Sequence, residues 1–537
     1  MEGWPFWMYS IAIAMLMIVS IYGSWKGRSR AALLSLFIIF SLAVLMAAGH
    51  DDEHHTARTI ILADQVRSAN LNLLFDNQAH GEFLPIFLYY SMIPYLPAVI
   101  LNLVGIPAGL AFKMTLIGYL GLFMLGLWRL VVSQEKTDRH SGLLAIIVLV
   151  GANYVVGLWL ARSAMAEILA YSLVPWVTLA LVRSPSSSVS VFLLISLQAA
   201  IHPIVMLHSL LAEFVGAWAL SRTKFIDLIK SNLLPLLLSL LVSSPFWLPA
   251  VLWRGAILGP EALPIKFQDT FLDLRQLIDP RSWKSPGLLL FFVAFLAAQR
   301  LANKRQVILL FLFVFTLFIQ TVYGKFIGVH LPLVESSIFI WRLLFVTCFF
   351  GFVLFILSSN NMSLNLKRLL AIFAIVIVSV AAIRCGSGKP GYSLNVHQNR
   401  AELKGYLKKT RSWGVAEYFP NYRDLPNACR VGDQTVVRSE FGPLVNQGFY
   451  LDGAIGQKFM AVEKAPWGFV SYSFNGAKAP SLGACEGSLI FGPFSTSGRF
   501  KAELASLYAV SWLRLTVVVV ALAWGLFSLF QRMRWRH

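Results

Sequence analysis

Apolar residues in this chain gather in long unbroken runs, not at the two- or 3.6-residue spacing of half-buried elements. Runs at 5–23, 31–48, 108–132, 142–160, 168–182, 189–207, 208–220, 232–252, 287–301, 307–323, 337–357, 369–383 and 508–530 approach the roughly 20 residues that cross a bilayer. They predict an all-α polytopic bundle of about 13 transmembrane helices. The pair at 189–220 is short for two spans, and His202-Pro203 is expected to break it into a tight hairpin.

The polar gaps orient the bundle. Lys26/Arg28/Arg30, Lys136/Arg139, Arg222/Lys224/Lys230, Lys304/Arg305, Lys367/Arg368 and Arg532/Arg534/Arg536 all fall on one side, expected to be cytoplasmic. That agreement requires the 84–104 stretch not to be a full span. Pro85, Pro94, Pro97 and Pro107 favour this, so 56–104 reads as interfacial helices on the outer face. The outside then holds a first loop (49–106), a second (253–286) and a polar segment (385–505). Strand-like stretches at 434–438, 468–474 and 488–491, parted by Gly and Pro turns, predict a small extracytoplasmic β-rich domain there. The expected organisation is a membrane module (1–384), this domain (385–505), and a last helix with a basic tail (506–537).

Composition sharpens the picture. The chain is 57% hydrophobic and only 13% charged over 537 residues, about half the charge of a soluble domain. A net charge of +19 is concentrated in short loops, which suits anionic lipid headgroups and not nucleic acid. No GxxxxGK[ST] and no GxGxxG between strand and helix occurs, so a nucleotide-driven pump or nucleotide-sugar enzyme has no support. The N-terminus lacks a basic n-region and carries Glu2, which predicts an uncleaved first helix. Cys348 lies in an apolar run and reads as a small core residue. Cys385, Cys429 and Cys485 fall in or near the polar segment, where Cys429 and Cys485 are disulfide candidates.

Candidate chemistry starts directly behind the second run, at Asp51-Asp52-Glu53-His54-His55. Ionisable groups at a membrane edge are kept for use. On a helix beginning near His50, Asp51, His55 and Arg58 stand at i, i+4 and i+7 on one face. They would supply a base, a proton carrier and a phosphate-binding cation. Asp52 and Glu53 point elsewhere and offer to bind a divalent ion such as Mg or Mn, with His54 as a further ligand, or a second substrate group. The plainer alternative is an acidic helix cap. Arg162 and Glu167, five apart between two runs, can pair across a helix start. His202 is either a kink residue or a substrate contact. Arg342 begins a span from the outer face, where it either snorkels or holds a phosphate with two hydrogen bonds. Lys325 and His330 precede it. Arg254, Lys266, Arg275 and Arg281 crowd the second loop among Asp269, Asp273 and Asp279. In the polar segment Tyr450 and Trp467 read as core aromatics or as platforms for sugar rings.

The order Asp51–Arg58, Leu84-Pro85-Ile86-Phe87-Leu88-Tyr89-Tyr90, Arg162–Glu167, Ser244-Pro245-Phe246-Trp247-Leu248-Pro249, Ile338–Leu344 and Glu417–Pro420 resembles a bacterial membrane family. It is the one called 6-pyruvoyl-tetrahydropterin synthase-related, which in turn resembles the glycosyltransferase-C (GT-C) superfamily. That superfamily includes oligosaccharyltransferases, protein O-mannosyltransferases and lipid A aminoarabinose transferases. The resemblance implies a catalytic acid residue in the first outer loop, here Asp51 or Asp52, two flanking interfacial helices and a sugar donor on polyprenyl phosphate. Two features depart from the pattern: an additional span precedes the loop, which places the N-terminus outside, and Asp51-Asp52 is a pair where one residue is expected. The implied reaction is an inverting transfer to a glycan, lipid or polysaccharide acceptor at the outer face of a bacterial inner membrane. Arg58, Arg342 and Arg162 would neutralise the phosphate, with His55, Glu167 and His202 lining the substrate. A flippase, a polymerase or ligase of lipid-linked glycans, and a non-catalytic envelope scaffold are the alternatives.

Overall fold

The computed structural model describes residues 6–25, 29–47, 49–68, 87, 90–134, 139–183, 188–252, 267–279, most of 282–331, 339–359, 362–387, the strand residues between 437 and 504, and a few positions from 510 to 517. The chain divides into two compact units. One comprises 1–60, 92–243 and 265–398; the other comprises 61–91, 244–264 and 399–537.

The first unit is helical. The first two apolar runs form the helices Phe6–Trp25 and Ser29–Met46, which pack on each other and on Leu364–Ser387. Among the described residues, five helices are long and apolar enough to cross a membrane: Ala108–Val132, Met165–Val182, Pro203–Leu220, Phe225–Leu252 and Ile340–Ser358. A bent pair, Ser141–Val150 with Asn153–Arg162, makes a sixth if counted as one span. The expected number was larger. Ser188–Ile201 has 14 residues, about 21 Å of helix against some 30 Å of hydrocarbon. The runs at 287–301 and 508–530 lie largely outside the described residues.

Two helices form the centre. In Met165–Val182, 89% of the apolar window is buried, and the helix packs on Ala108–Val132, Ser188–Ile201 and Pro203–Leu220. Gly126 makes the first of these contacts close: a Cβ there would stand 2.6 Å from Trp176 Nε1, which donates to Leu122 O at 3.0 Å. The window of Ile340–Ser358 is 94% buried, and its helix packs on Lys304–Phe318 and Pro203–Leu220. By contrast, Phe225–Leu252 shows Leu234, Leu237 and Leu241 to the surroundings, as a lipid-facing helix does.

Two breaks shape the unit. The run read as one span at 142–160 bends by 52° between Val150 and Asn153, because Ala152 is extended (φ −62°, ψ 133°). Leu158–Arg162 then forms a π-turn, closed by Ser163 in the left-handed region at φ 58°. The second break is at His202. Its extended backbone precedes Pro203 at the first helical position, and its Nδ1 accepts from Val205 N–H at 3.3 Å. Pro at that position loses no helical hydrogen bond, so the hairpin turns there.

Among its described residues the second unit contains two four-stranded sheets. With β1 Val437–Ser439, β2 Gly448–Asp452, β3 Met460–Val462, β4 Val470–Phe474, β5 Ala477–Lys478, β6 Ser481–Cys485, β7 Ser488–Phe491 and β8 Arg499–Leu504, the orders are β1-β3-β7-β6 and β2-β8-β4-β5. Only β1 and β3 pair in parallel among these strands. Asn475-Gly476, both at positive φ, turns β4 into β5, the pairing of residues that a two-residue hairpin favours. In the same unit Arg514 is buried and donates to the main-chain oxygens of Phe87, Pro245 and Phe246.

Candidate active site

The site is built where the chain leaves Ser29–Met46 and meets the end of the π-turn. His50 N–H donates to Ala161 O at 2.8 Å and Asp51 N–H to Arg162 O at 3.0 Å. These bonds hold His50 and Asp51 out of the helix, which runs Asp52–Arg67 with Asp51 O accepting from His55 N–H. The close approach needs Gly49. A Cβ there would overlap Ser163 Oγ and come within 2.8 Å of Asp52 Oδ1. The helix thus starts later than a start near His50 would have it, and the expected Asp51–His55–Arg58 stripe divides. Asp51 turns toward Arg162, and the other two turn toward Tyr95.

Asp51 begins a chain of charges. Its Oδ1 lies 2.7 Å from His50 Nδ1 and its Oδ2 3.9 Å from Arg162 Nη2. Arg162 grips Glu167 with both terminal nitrogens, Nη1 to Oε2 at 2.8 Å and Nη2 to Oε1 at 3.2 Å. Arg342 reaches the same Oε1 through Nε at 3.0 Å and Nη2 at 2.9 Å. Tyr171 donates to Arg342 O at 3.0 Å and fixes its backbone. Two guanidiniums thus share one buried carboxylate. Asp51 keeps 24% of its side chain exposed, whereas Glu167 keeps 3%. Burial alone would raise the Asp51 pKa, but the His50 hydrogen bond and the Arg162 charge outweigh it and hold the group at about 2. The same hydrogen bond raises His50.

Asp52 has another assignment. Its Oδ2 takes Lys113 Nζ at 2.7 Å and Gly49 N–H at 2.9 Å, and Lys113 also donates to Ala47 O at 2.8 Å. Both side chains are buried. Among the described residues no three His, Cys, Asp or Glu side chains gather as a metal site. Glu53 and His54 lie on the partly exposed side of the first turn.

His55 and Arg58 converge on Tyr95. His55 Nε2 accepts from Met165 N–H at 3.3 Å, so the neutral ring carries its proton on Nδ1 and donates to Tyr95 Oη at 2.7 Å. Arg58 Nη1 donates to the same oxygen at 3.2 Å. Burial, then the Arg58 charge, lowers His55 to about 3. His202, lowered to about 3 by burial and then by Arg342, stands close enough to Glu167 and Arg342 to feel both charges.

The structure adds residues the sequence reading passed over. Lys284 Nζ sits 3.9 Å from the centre of the Trp341 ring. Trp341 stacks on Phe339 at 4.6 Å, and Arg342 lies over Phe339 at 5.1 Å. Asn153 Nδ2 donates to Ser282 O at 3.4 Å, and Gly287 (φ 88°) packs on Asn153. The Lys284 segment is therefore pinned to the element that carries Arg162, and the Arg162 charge acts on Lys284. Tyr95 and Lys284 left no signal in the sequence because their partners His55 and Trp341 lie 40 and 57 positions away, whereas Lys113 showed only as a charge within an apolar run, its partner Asp52 standing 61 positions off. Of the other candidates, Arg275 sits in the short helix Leu274–Ile278, capped by Asp273, and Lys325 Nζ stands 5.8 Å from the Phe271 ring. Arg254, Lys266, Arg281, Trp467 and 417–420 lie outside the described residues, as do the side chains of Tyr450, Cys385, Cys429 and Cys485. Cys348 is buried with a free thiol.

No family model matches the chain, and no curated protein matches it. Among solved structures it is similar to the cryo-EM structure of the arabinofuranosyltransferase AftD from mycobacteria. The identity is 15% with a TM-score of 0.42, covering 72% of this chain and 27% of that one. The chain thus spans about a quarter of the length of that protein.

Proposed function

We infer that this chain is a multi-pass membrane glycosyltransferase of the GT-C kind, moving a sugar from a polyprenyl-phosphate donor to an acceptor hydroxyl with inversion. The observation that carries the reading is Asp51, an ionised and partly exposed carboxylate beside two arginines that share Glu167. Asp51 is the base. With a pKa of about 2 it does not deprotonate a hydroxyl in advance. It accepts a hydrogen bond from the hydroxyl and takes the proton as the oxygen bonds to the anomeric carbon and becomes strongly acidic. Arg162 and Arg342 receive the phosphate, helped by Lys284. Arg162, Arg342 and Lys284 outnumber the carboxylates Glu167 and Asp51 and leave positive charge for an anion, and a preorganised contact of that kind typically speeds reaction about 100- to 1000-fold. Glu167 sets the spacing of the arginines. His55, Tyr95 and Arg58 form a neighbouring hydrogen-bonded wall, and His202 lines the arginine side. A divalent ion at Asp52, Glu53 and His54 would have to displace Lys113, so the reaction is written without one. The site faces the outer side of a bacterial inner membrane, where a lipid-linked donor replaces nucleotide sugars.

The test is transfer by the purified protein from a polyprenyl-phosphate sugar to a panel of glycan and lipid acceptors. Transfer is expected from wild type and lost in Asp51→Asn. Transfer that persists in Asp51→Asn removes the base. A transporter is the second reading, because Glu213 is buried within Pro203–Leu220 on Gln198 Nε2 at 2.9 Å, and buried ionisable groups in spans mark transport paths. Flipping of the lipid-linked sugar without transfer supports that reading instead.

A further inference from the structure

Asp51 and Arg162 are joined twice. Their main chains are hydrogen-bonded at 3.0 Å, with His50 N–H on Ala161 O alongside. Their side chains form an ion pair at 3.9 Å through Arg162 Nη2, which also donates to Glu167 Oε1 at 3.2 Å. One guanidinium therefore answers to two carboxylates. Glu167 is buried and clasped by Arg342 as well, so it is the fixed partner. Asp51 is the exchangeable one, being longer in contact and open to solvent. The π-turn and the left-handed Ser163 hold Arg162 at this junction.

We propose that, granted the glycosyl-transfer reading, Asp51 and Arg162 act as a coupled pair in which proton uptake by Asp51 hands Arg162 to the departing phosphate. The acceptor oxygen bonds to the anomeric carbon, and its proton passes to an Asp51 oxygen. The bond from that carbon to the phosphate oxygen breaks, its electron pair stays on the phosphate, and a phosphodiester monoanion becomes a monoester dianion. Asp51 loses one negative charge in the step in which the phosphate gains one. The charge around Arg162 is unchanged, and the guanidinium only changes partner. No cation has to be drawn from water during the reaction, which keeps the reorganisation small. Base and phosphate site are then one device.

A base that acts alone leaves phosphate binding indifferent to its own protonation. A coupled pair does not, and Asp51→Asn imitates the protonated state. The experiment measures the affinity of a short-chain polyprenyl phosphate for the full chain in nanodiscs. It compares wild type, Asp51→Asn, Arg162→Lys and the double variant, with ligand-free melting as the control for folding. Asp51→Asn is expected to bind about five- to tenfold more tightly while transfer is lost, and to gain less than about twofold when Arg162 is already lysine. Lysine keeps the charge but cannot hold two carboxylates with one fork. Should Arg162→Lys unfold, Arg162→Gln completes the same cycle. An equal gain in both backgrounds, or no gain, overturns the coupling. If wild type transfers sugar and binds the phosphate but the cycle is additive, only the coupling falls. If no variant binds the phosphate, the functional reading falls with it.

Discussion

Lys113 Nζ lies 2.7 Å from Asp52 Oδ2, with both side chains shut away from solvent. The next residue back, Asp51, keeps 24% of its side chain open. Adjacent carboxylates therefore have different work. Asp52 ties the first turn of its helix to the second turn of the apolar helix Ala108–Val132, and Asp51 stays partly open to solvent. Removing one member of a buried pair strands the other, at about 3–5 kcal/mol. Asp52→Asn and Lys113→Met are each expected to lose stability of that order by denaturant unfolding in detergent. The combined Asp52→Leu/Lys113→Met variant should recover most of it. Equal stability of Asp52→Asn and wild type would refute the structural role.

Asp51→Asn should do the reverse. The transfer rate should fall about 100- to 10,000-fold, the usual range for a lost general base, while melting stays near wild type because the side chain is partly solvated. Rate per folded molecule, compared between the Asp51 and Asp52 variants, separates the two residues. A larger loss per folded molecule at Asp52 would exchange their roles.

The helical runs were legible because lipid demands unbroken apolar surface, and a run such as 108–132 has the same bounds as its helix. Arg162 and Glu167 were legible as a pair because five residues span the junction between two helices. Two things were not. The 142–160 run carries no Pro, and its break at Ala152 and π-turn at Leu158–Arg162 are set by tertiary partners. The difference between Asp51 and Asp52 in pairing and exposure rests on Lys113, which the sequence offered only as a charge within an apolar run. Its partner is 61 positions away. A buried lysine in an apolar run was the one available hint that a carboxylate elsewhere must answer it.

Acid should destabilise the protein through its imidazoles. His55 and His202 are lowered to about 3 and His54 to about 4, in each case first by burial. Free imidazole titrates near 6.5. Between that value and the folded ones, the unfolded chain binds more protons than the folded chain, so stability rises with pH. The stabilising effect is complete above about 6.5 and is lost as pH falls toward 3 to 4. Each group gives a slope of at most about 1.4 kcal/mol per pH unit. Denaturant midpoints measured from pH 7 to 4 should fall steadily, and His55→Gln should flatten part of the slope. A midpoint independent of pH over that range contradicts the buried neutral rings.

Gly49→Ala tests the junction itself. The new methyl would overlap Ser163 Oγ and stand 2.7 Å from Ser163 Cβ and 2.8 Å from Asp52 Oδ1. Overpacking of this kind typically costs about 1–3 kcal/mol. Here it also pushes the 49–52 segment off Ala161 O and Arg162 O, so transfer should fall further than stability does. Ser163→Gly removes both offending side-chain atoms and suits the left-handed backbone at φ 58°, where glycine meets no Cβ penalty. It gives up only the Ser163 Oγ bond to Trp159 O. Gly49→Ala/Ser163→Gly should therefore regain part of both stability and transfer, the remaining deficit coming from Asp52. If the second substitution adds its own loss to the first, the two residues do not meet, and the hydrogen-bonded junction that aligns Asp51 with Arg162 is not what Gly49 protects.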